Sequence, residues 1–375
     1  MKKLFILTGE PSGDKLASKV ISTLKKNRTD IEYLCVGGQN LKSLGIVSLY
    51  DLNDVTYLGF TQVLLNIFKI KKKINETVRK IIEFNPDILF SVDSPDFTLR
   101  VAKKVKKLKP TIKVVHFVAP QVWVWRENRI KKLKGILDHV LLLFPFEKKY
   151  FDAENIKSTF TGHPLLDDQK KNTLDINQVI KKDKKIFSIF PGSRLSEIKI
   201  LIPIIFEFVK KMNKKYEDLF FVFHSTSDHV KLIQNLILKE DVKNCTAIAD
   251  EKIKLHVLKS SIFALAKSGT ISLEICNAKV PSVIIYKMGY INFFIVKMLA
   301  KIKYANIINI ASDQEVIPEL LQSNCNASNI FNKVDDLLSD EKSRNLQIKK
   351  SYEIIGNFKT VNSSDIAASV LINQF

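Results

Sequence analysis

One carboxylate, Asp93, stands where a predicted buried strand gives way to a turn. Residues 88–92 read Ile-Leu-Phe-Ser-Val, a short apolar run that is typical of a strand covered on both faces. Pro95 excludes Ser94 from the right-handed helical region, and Asp96 is predicted to cap the following helix. Ligands of open α/β sheets bind at the carboxyl ends of strands, so Asp93 is a candidate site residue; the alternative is a turn residue that satisfies its own backbone.

The first loop of the chain, Gly-Glu-Pro-Ser-Gly-Asp at 9–14, connects a predicted strand to a predicted helix. Its G-x-x-x-G spacing differs from the dinucleotide fingerprint, and Glu10 and Asp14 would repel a pyrophosphate. An acidic loop suits sugar hydroxyls better, although both acids could instead serve the turn and the helix dipole. The candidate sugar-binding residues of this loop are Glu10, Ser12 and Gly13.

Both tryptophans of the chain, Trp123 and Trp125, lie beside Arg126 at the end of another predicted strand. Trp123 and Arg126 suit stacking on a sugar and holding a phosphate, and core packing of the rings is the alternative. His163 follows a later strand, where we interpret it as a hydrogen-bonded turn residue, with an acid–base role as the alternative.

The pattern of strand, loop and helix restarts in the second half, where the loop is basic instead of acidic. A predicted strand at 186–190 runs into Pro-Gly-Ser-Arg at 191–194, where an arginine and a helix N-terminus suit a diphosphate. Another predicted strand runs into the loop Ser-Gly-Thr at 268–270, where Thr270 is predicted to cap the next helix. Glu274 lies one place beyond the capping-box position and could accept hydrogen bonds from ribose hydroxyls. The candidate nucleotide-binding residues are Ser193, Arg194, Ser268, Gly269, Thr270 and Glu274.

The length of the chain predicts about two domains, because 375 residues are too many for one compact core. The net charge of +20 fits either an anionic partner or a codon bias towards lysine. The scattered cysteines and histidines predict neither a metal site nor disulfides. No signal peptide or membrane span is predicted, so a soluble or peripheral cytoplasmic protein is expected.

Two lysine-flanked segments, near 63–74 and 290–304, have apolar residues at helical spacing. Each could lie on an anionic membrane surface or pack in a core. The second segment is the better membrane candidate. Its predicted membrane-contact residues are Phe294, Ile295, Lys297, Met298 and Lys301.

Taken together, the motifs resemble the lipid-A-disaccharide synthase family nearly from end to end. Eight motifs in one order make the resemblance highly specific. In chain order they are GEPSGD at Gly9, DSPDF at Asp93, APQVWVWR at Ala119, PFE at Pro145, GHPLLD at Gly162, PGSRLSEI at Pro191, SGTISLE at Ser268 and PELLQ at Pro318.

The resemblance implies an α/β GT-B fold, in which two Rossmann-like, doubly wound parallel-sheet domains face each other across a cleft. We expect an acceptor-binding domain at 1–170, a donor-binding domain at 171–348 and a helical tail at 349–375 that packs back on the first domain.

The resemblance also implies the reaction: an inverting hexosyl transfer in lipid A (lipopolysaccharide) biosynthesis that needs no metal or cofactor. The donor would be UDP-2,3-diacylglucosamine, the acceptor 2,3-diacylglucosamine 1-phosphate, and the products a β-1,6-linked disaccharide 1-phosphate and UDP. The enzyme would work peripherally on the inner face of the inner membrane of a Gram-negative-type bacterium, and a homodimer is compatible with the sequence.

Three residues take roles from the family motifs by position. Asp93 matches the aspartate regarded as the catalytic base, Arg194 matches the PGSR arginine, and Asn309 matches a donor-site asparagine. Gln62 stands where the family often has glutamate, which leaves the role of that acid open here.

Two other functions compete with this one. Another GT-B enzyme of UDP-sugars, such as a 2-epimerase or a different transferase, would share the second-half loops. A nucleic-acid binder would explain the charge, but the sequence has no recognisable nucleic-acid-binding motif, so we expect no nucleic-acid partner.

Overall fold

A computed structural model describes residues 1–55, 67–121, 128–167, 183–289, 293 and 303–375. The chain divides into two compact units. Unit 1 comprises Met1–Asp167 and Phe358–Phe375, and unit 2 comprises Asp168–Asn357.

Unit 1 contains a six-stranded sheet in which every strand pair is parallel. Its strands are β1 (Lys2–Thr8), β2 (Ile31–Val36), β3 (Ile88–Val92), β4 (Lys113–Phe117), β5 (His139–Leu142) and β6 (Ser158–Phe160). Its helices up to the end of β6 are α1 (Pro11–Asn27), α2 (Gln39–Ser43), α3 (Ile67–Phe84), α4 (Pro95–Leu108), α5 (Asn128–Lys131) and α6 (Lys148–Asp152). Short 3-10 turns occupy Leu52–Asp54 and Pro145–Glu147.

The strand order of this sheet, β2-β1-β3-β4-β5-β6, places β1 beside β3 although β2 lies between them in the chain. The register pairs Leu7 with Ser91 and Thr8 with Val92, so both strands end at the same level. All five residues of β3 are buried, as the apolar run predicted for a strand covered on both faces. The loops that follow β1 and β3 therefore meet at the point where the strand order reverses, which is where open α/β sheets bind ligands.

Unit 2 repeats this architecture with the strand order β12-β11-β10-β7-β8-β9, again wholly parallel. Its strands are β7 (Lys185–Phe190), β8 (Leu219–His224), β9 (Cys245–Ile248), β10 (Ser261–Lys267), β11 (Ser282–Tyr286) and β12 (Glu319–Leu321). Its helices are α7 (Leu195–Lys215), α8 (Ser227–Lys239), α9 (Glu251–Lys259), α10 (Ile271–Asn277), α11 (Ile307–Ser312), α12 (Ala327–Ser339) and α13 (Glu341–Gly356). A 3-10 turn occupies Gln322–Asn324. The reversal point of this sheet lies between β7 and β10.

The core of unit 2 is built around Phe187 on β7. Its ring packs against Phe208, Phe221 and Phe263, with centroid separations of 5.8, 5.2 and 5.4 Å. Each of these side chains is fully buried. Burial of such a ring contributes on the order of 2 kcal/mol, so the cluster holds β7, β8, β10 and α7 together.

The C-terminal segment returns to unit 1. Phe358 packs edge-on against Phe144 at 5.0 Å, the Ser363 hydroxyl donates to Asp167 at 2.6 Å, and a last helix, α14 (Ser363–Gln374), packs against α1. The helix α13 belongs wholly to unit 2, where the Gln347 amide bonds the backbone N–H and carbonyl of Ser282 at 2.8 and 2.9 Å. The segment that returns is therefore shorter than the predicted tail from residue 349.

The predicted cap at Asp96 is wrong. The helix α4 begins at Pro95, so Ser94 takes the N-cap position in the left-handed conformation and Asp96 lies exposed in the first turn. Proline fits the first helical position because it has no N–H to leave unsatisfied.

Asp14 has a structural role instead of a sugar-binding one. It is buried, and its carboxylate accepts hydrogen bonds from the N–H groups of Gly38, Asn40 and Leu41 and from the Asn40 side chain, at 2.7–3.3 Å. It thereby ties α1 to the start of α2.

We expect Asp14→Ala to lower the free energy of unfolding by on the order of 2 kcal/mol or more, because several buried donors lose their acceptor. Asp96→Ala is the matched control, and an exposed first-turn acid should cost about 0.5 kcal/mol. Urea denaturation followed by circular dichroism measures both. Equal losses in the two variants would contradict the structural role of Asp14.

Candidate functional site

Asp93 directly follows β3, and its carboxylate is half-buried. One carboxylate oxygen, Oδ1, accepts from the Ser94 N–H at 2.8 Å, and Oδ2 accepts from the Ser12 hydroxyl at 3.2 Å. Its own N–H donates to the Phe117 carbonyl at 2.9 Å, and its carbonyl accepts from the Thr98 hydroxyl at 2.7 Å. The backbone is thus fixed from both sides while the carboxylate keeps further acceptor capacity.

The backbone around Asp93 is strained. Asp93 and Ser94 have φ values of 55° and 45°, and Val118, just after the neighbouring β4, has a φ of 72°. Left-handed conformations of residues other than glycine cost about 1–3 kcal/mol each and persist where the surroundings hold them, often at functional sites. For a β-branched residue such as Val118 the conformation is a marked outlier.

Two glycines allow the first loop to approach Asp93. A Cβ atom at Gly13 would lie 3.0 Å from the Val92 carbonyl oxygen, and one at Gly9 would lie 2.7 Å from the Ser94 Cβ. Gly13 is buried at this contact and allows α1 to pack closely on β3, while its predicted acceptor contact stays a prediction. Ser12 is exposed and bonded to Asp93, and Glu10 occupies the N-cap position of α1.

The second group of candidate residues lies at the reversal point of unit 2. Arg194 is the N-cap residue of α7, with 57% of its side chain exposed, and Ser193 beside it is exposed. Gly192 has a φ of 109°, and a Cβ there would lie 2.6 Å from Oε2 of Glu197. Glu197 is bound by Lys267 at 2.9 Å and lies 4.0 Å from Arg194. The loop after β7 and the end of β10 therefore form one charged cluster.

The loop after β10 carries the next predicted residues. Ser268 is buried, and its hydroxyl donates to the Ala305 carbonyl at 2.6 Å. Gly269 and Thr270 are exposed, and Thr270 is the N-cap residue of α10 but makes no side-chain capping bond, contrary to the prediction. The Ser268 N–H also donates within the protein, to the Ile285 carbonyl at 3.0 Å, so Gly269 and Thr270 are the exposed part of this loop.

Asn309 has its side-chain amide engaged within the protein, and its predicted contact with the donor stays a prediction. Its buried amide donates to the Ile317 carbonyl and to Glu319 at 2.7 and 2.8 Å, and accepts from the N–H groups of Val316 and Ile317 at 2.9 and 3.0 Å. All four hydrogen-bonding positions are thus occupied within the protein. Glu319 also accepts from the N–H groups of Ala305 and Asn306, so the pair shapes the segment before β12.

A family model described as lipid-A-disaccharide synthetase matches residues 4–370. The chain belongs to the lipid-A-disaccharide synthetase family. Relatives named lipid-A-disaccharide synthase from Rickettsia typhi (strain ATCC VR-144 / Wilmington) and Rickettsia prowazekii (strain Madrid E) are each 35% identical over 384 residues, covering 100% of both chains. The predicted family and the predicted enzyme class, a hexosyltransferase, are confirmed.

Solved structures share the architecture of this family member. UDP-GlcNAc 2-epimerase from Neisseria meningitidis, bound to UDP-GlcNAc, aligns with a TM-score of 0.69 at 17% identity, covering 100% of both chains. The Methanocaldococcus jannaschii UDP-GlcNAc 2-epimerase, in complex with UDP-GlcNAc and UDP, aligns with a TM-score of 0.64 at 17% identity, covering 99% of each chain. At such identity the likeness shows the fold alone, and it confirms the predicted GT-B class.

Several predicted residues of this synthetase-family chain lie outside the described residues. They are Gln62, Trp123, Arg126, Phe294, Ile295, Lys297, Met298 and Lys301. Their predicted roles in acceptor binding and membrane contact therefore stay predictions.

Two lysines were missed by the sequence reasoning. Lys267 binds Glu197, and Lys254 on α9 binds Glu274 at 3.1 Å. Both are ordinary residues in a lysine-rich chain, and the signal that could have marked Lys267 is its place directly before the Ser-Gly-Thr loop. Within the described part of the chain, no helix is long and apolar enough to cross a membrane, and no cluster of His, Cys, Asp and Glu side chains suits a metal ion.

His163 is a turn residue, as interpreted from the sequence. Its Nδ1 accepts from the Leu165 N–H at 3.2 Å, and its ring packs against Phe144. Burial, with a smaller contribution from Lys19, lowers the pKa of His163 to about 4. Nearby, burial raises the pKa of Glu147, which accepts from the Phe144 N–H, to about 8.

The low pKa of His163 predicts a loss of stability in acid. The unfolded chain takes up a proton below about pH 6.5, whereas the folded histidine stays neutral to about pH 4, so the free energy of unfolding falls across that window. We expect His163→Gln, which keeps an acceptor for Leu165, to remove about 2 kcal/mol of the loss between pH 7 and pH 5. Urea midpoints at the two pH values test this, and an unchanged difference between them would refute it.

Proposed function

We propose that this chain transfers the 2,3-diacylglucosamine unit of UDP-2,3-diacylglucosamine to the 6-hydroxyl of 2,3-diacylglucosamine 1-phosphate. The products are the β-1,6-linked disaccharide 1-phosphate and UDP. The observation that carries the proposal is Asp93, a half-buried carboxylate held by Ser12 and Ser94 at the reversal point of unit 1. Membership of the lipid-A-disaccharide synthetase family supplies the substrate class.

In the proposed reaction Asp93 is the general base. It takes the proton of the acceptor 6-hydroxyl as that oxygen attacks the anomeric carbon of the donor from the face opposite the nucleotide. The bond from the anomeric carbon to the diphosphate oxygen breaks, and its electron pair leaves with UDP. A single displacement of this kind inverts the configuration from α to β. The hydrogen bonds from Ser12 and Ser94 orient the carboxylate for this step.

The donor would bind to unit 2. Arg194 and the exposed backbone of Ser193, Gly269 and Thr270 are suited to a diphosphate, since cations and N–H groups offset the charge that gathers on the leaving oxygen. Lys267 adds a second cation to the same cluster. Glu274, next to this loop, would accept hydrogen bonds from the ribose.

A UDP-sugar 2-epimerase is the alternative with the same fold. It would need a base for the proton at carbon 2 of the sugar, so the Asp93 carboxylate is compatible with either reaction. The transferase is favoured by the family match and by relatives of 35% identity named lipid-A-disaccharide synthase, against 17% identity to the epimerases.

Both proposed substrates carry acyl chains, so the enzyme would work at a lipid surface, which we assign to the inner face of the inner membrane. The net charge of +20 suits an anionic lipid surface.

Replacing the base tests the catalytic assignment. We expect Asp93→Asn to keep the fold and to lower kcat by roughly a hundred- to ten-thousand-fold, with little change in the donor KM. The measurement is mass spectrometry of the disaccharide formed from the two synthetic substrates. Asp96→Asn, on the exposed first turn of the next helix, is the control and should be near normal. An Asp93→Asn enzyme within a few-fold of the wild-type rate would remove Asp93 from the role of base.

Replacing the cation tests the donor assignment. We expect Arg194→Ala to weaken UDP binding by about ten- to a hundred-fold, the usual value of a charge-assisted hydrogen bond. Calorimetry with UDP measures this, and Lys199→Ala, an exposed lysine on the same helix, provides the matched control. Unchanged binding in the Arg194 variant would place the diphosphate elsewhere.

A further inference from the structure

The pair formed by Lys254 and Glu274 is well shielded from water for two charged side chains. Lys254, on α9, places its Nζ 3.1 and 3.4 Å from the two carboxylate oxygens of Glu274, on α10. The side chains are 18% and 13% exposed. Exposed lysine–carboxylate pairs contribute about 0–1 kcal/mol, whereas removing one partner of a buried pair leaves a charge without compensation. Lys254 therefore fixes the position of the Glu274 carboxylate.

The Glu274 carboxylate has capacity beyond this pair. An ionised carboxylate offers about four acceptor positions, and one ammonium occupies part of one edge. Two adjacent hydroxyls of a ribose can fill the remaining positions, as acids do in nucleotide sites. A carboxylate free to rotate would hold such a diol poorly, because ordering its side chain costs about 0.5–1.5 kcal/mol on binding. The lysine removes that cost before the ligand arrives.

The histidine His224 is close enough to Lys254 to feel its charge. His224, at the end of β8, has its Nε2 within 2.9 Å of the Ser188 hydroxyl and its ring stacked on Phe190 at 4.3 Å. Burial, together with the positive charge of Lys254, lowers the pKa of His224 to about 3, so this neighbour stays neutral. His224 therefore adds no second positive charge beside Lys254.

We propose that Lys254 is a positioning residue that makes the donor site selective for ribonucleotides over 2′-deoxyribonucleotides, acting through Glu274. The inference rests on the proposed donor site and deepens it. Lys254 does not touch the nucleotide; it holds the carboxylate that reads the ribose hydroxyls.

The test compares UDP with 2′-deoxy-UDP by calorimetry on the full-length protein. We expect Lys254→Met to weaken UDP binding about tenfold or more and 2′-deoxy-UDP binding less than about threefold, so that the preference for UDP falls. Lys254→Arg keeps the charge and should restore most of the preference. Lys259→Met, which removes an exposed lysine at the end of the same helix, should leave both affinities unchanged.

Two further variants separate the inference from the site on which it depends. Glu274→Gln should lower the preference for UDP as much as Lys254→Met does, and the double variant should lower it no further, because both act on one contact. If Glu274→Gln keeps the full preference, the ribose assignment of the proposed donor site is wrong. If Glu274→Gln loses it but Lys254→Met keeps it, the positioning role alone is overturned. Equal weakening of both nucleotides by Lys254→Met would likewise overturn it, since that is the effect of a purely structural pair.

Discussion

The structure depends on one topological constraint, the pairing of strands that are not consecutive in the chain. In each unit the first strand lies beside a later strand that starts the other half of the sheet, β1 beside β3 and β7 beside β10. Parallel strands end at a common edge, so the loops after these pairs must meet. The hydrogen bond from Ser12 to Asp93 and the ion pair of Lys267 with Glu197 are direct results of that pairing.

The loops at these edges are held by polar side chains that are hydrogen-bonded within the protein. Asp14 ties α1 to α2, and Asn309 with Glu319 shapes the segment before β12. Each is buried or largely buried with its hydrogen bonds satisfied, as buried polar groups must be if they are not to destabilise the fold. The strained left-handed backbones of Asp93 and Val118 are held by other bonds. The Asp93 N–H donates to the Phe117 carbonyl, the Asp93 carbonyl accepts from the Thr98 hydroxyl, and the Val118 N–H donates to the Leu141 carbonyl.

The two edges carry different charge. The edge of unit 1 presents the carboxylate of Asp93 with neutral donors, which suits the removal of a proton from a sugar hydroxyl. The edge of unit 2 presents Arg194 and Lys267 around Glu197, which suits a diphosphate and limits the repulsion between the two cations. An acceptor hydroxyl that loses its proton needs the carboxylate, and a nucleotide donor that releases a diphosphate needs the cations. Each edge therefore suits one of the two expected substrates.

The sequence by itself determined strands such as β1, β3 and β7, the loops after them and the order of the motifs, because these depend on local features: short apolar runs, glycine turns and the place of proline. It also identified the family and the position of Asp93 at a strand end. Tertiary structure alone decided which polar residues are scaffolding. Asp14, like Asp93, is an acid close after a predicted strand, yet its partners lie 24–27 residues further along the chain, where only the fold brings them near. The ion pair of Lys254 was likewise undetectable, since a lysine-rich chain offers no local signal of which lysine meets a carboxylate on another helix. Lys267 had only its place before the Ser-Gly-Thr loop to mark it.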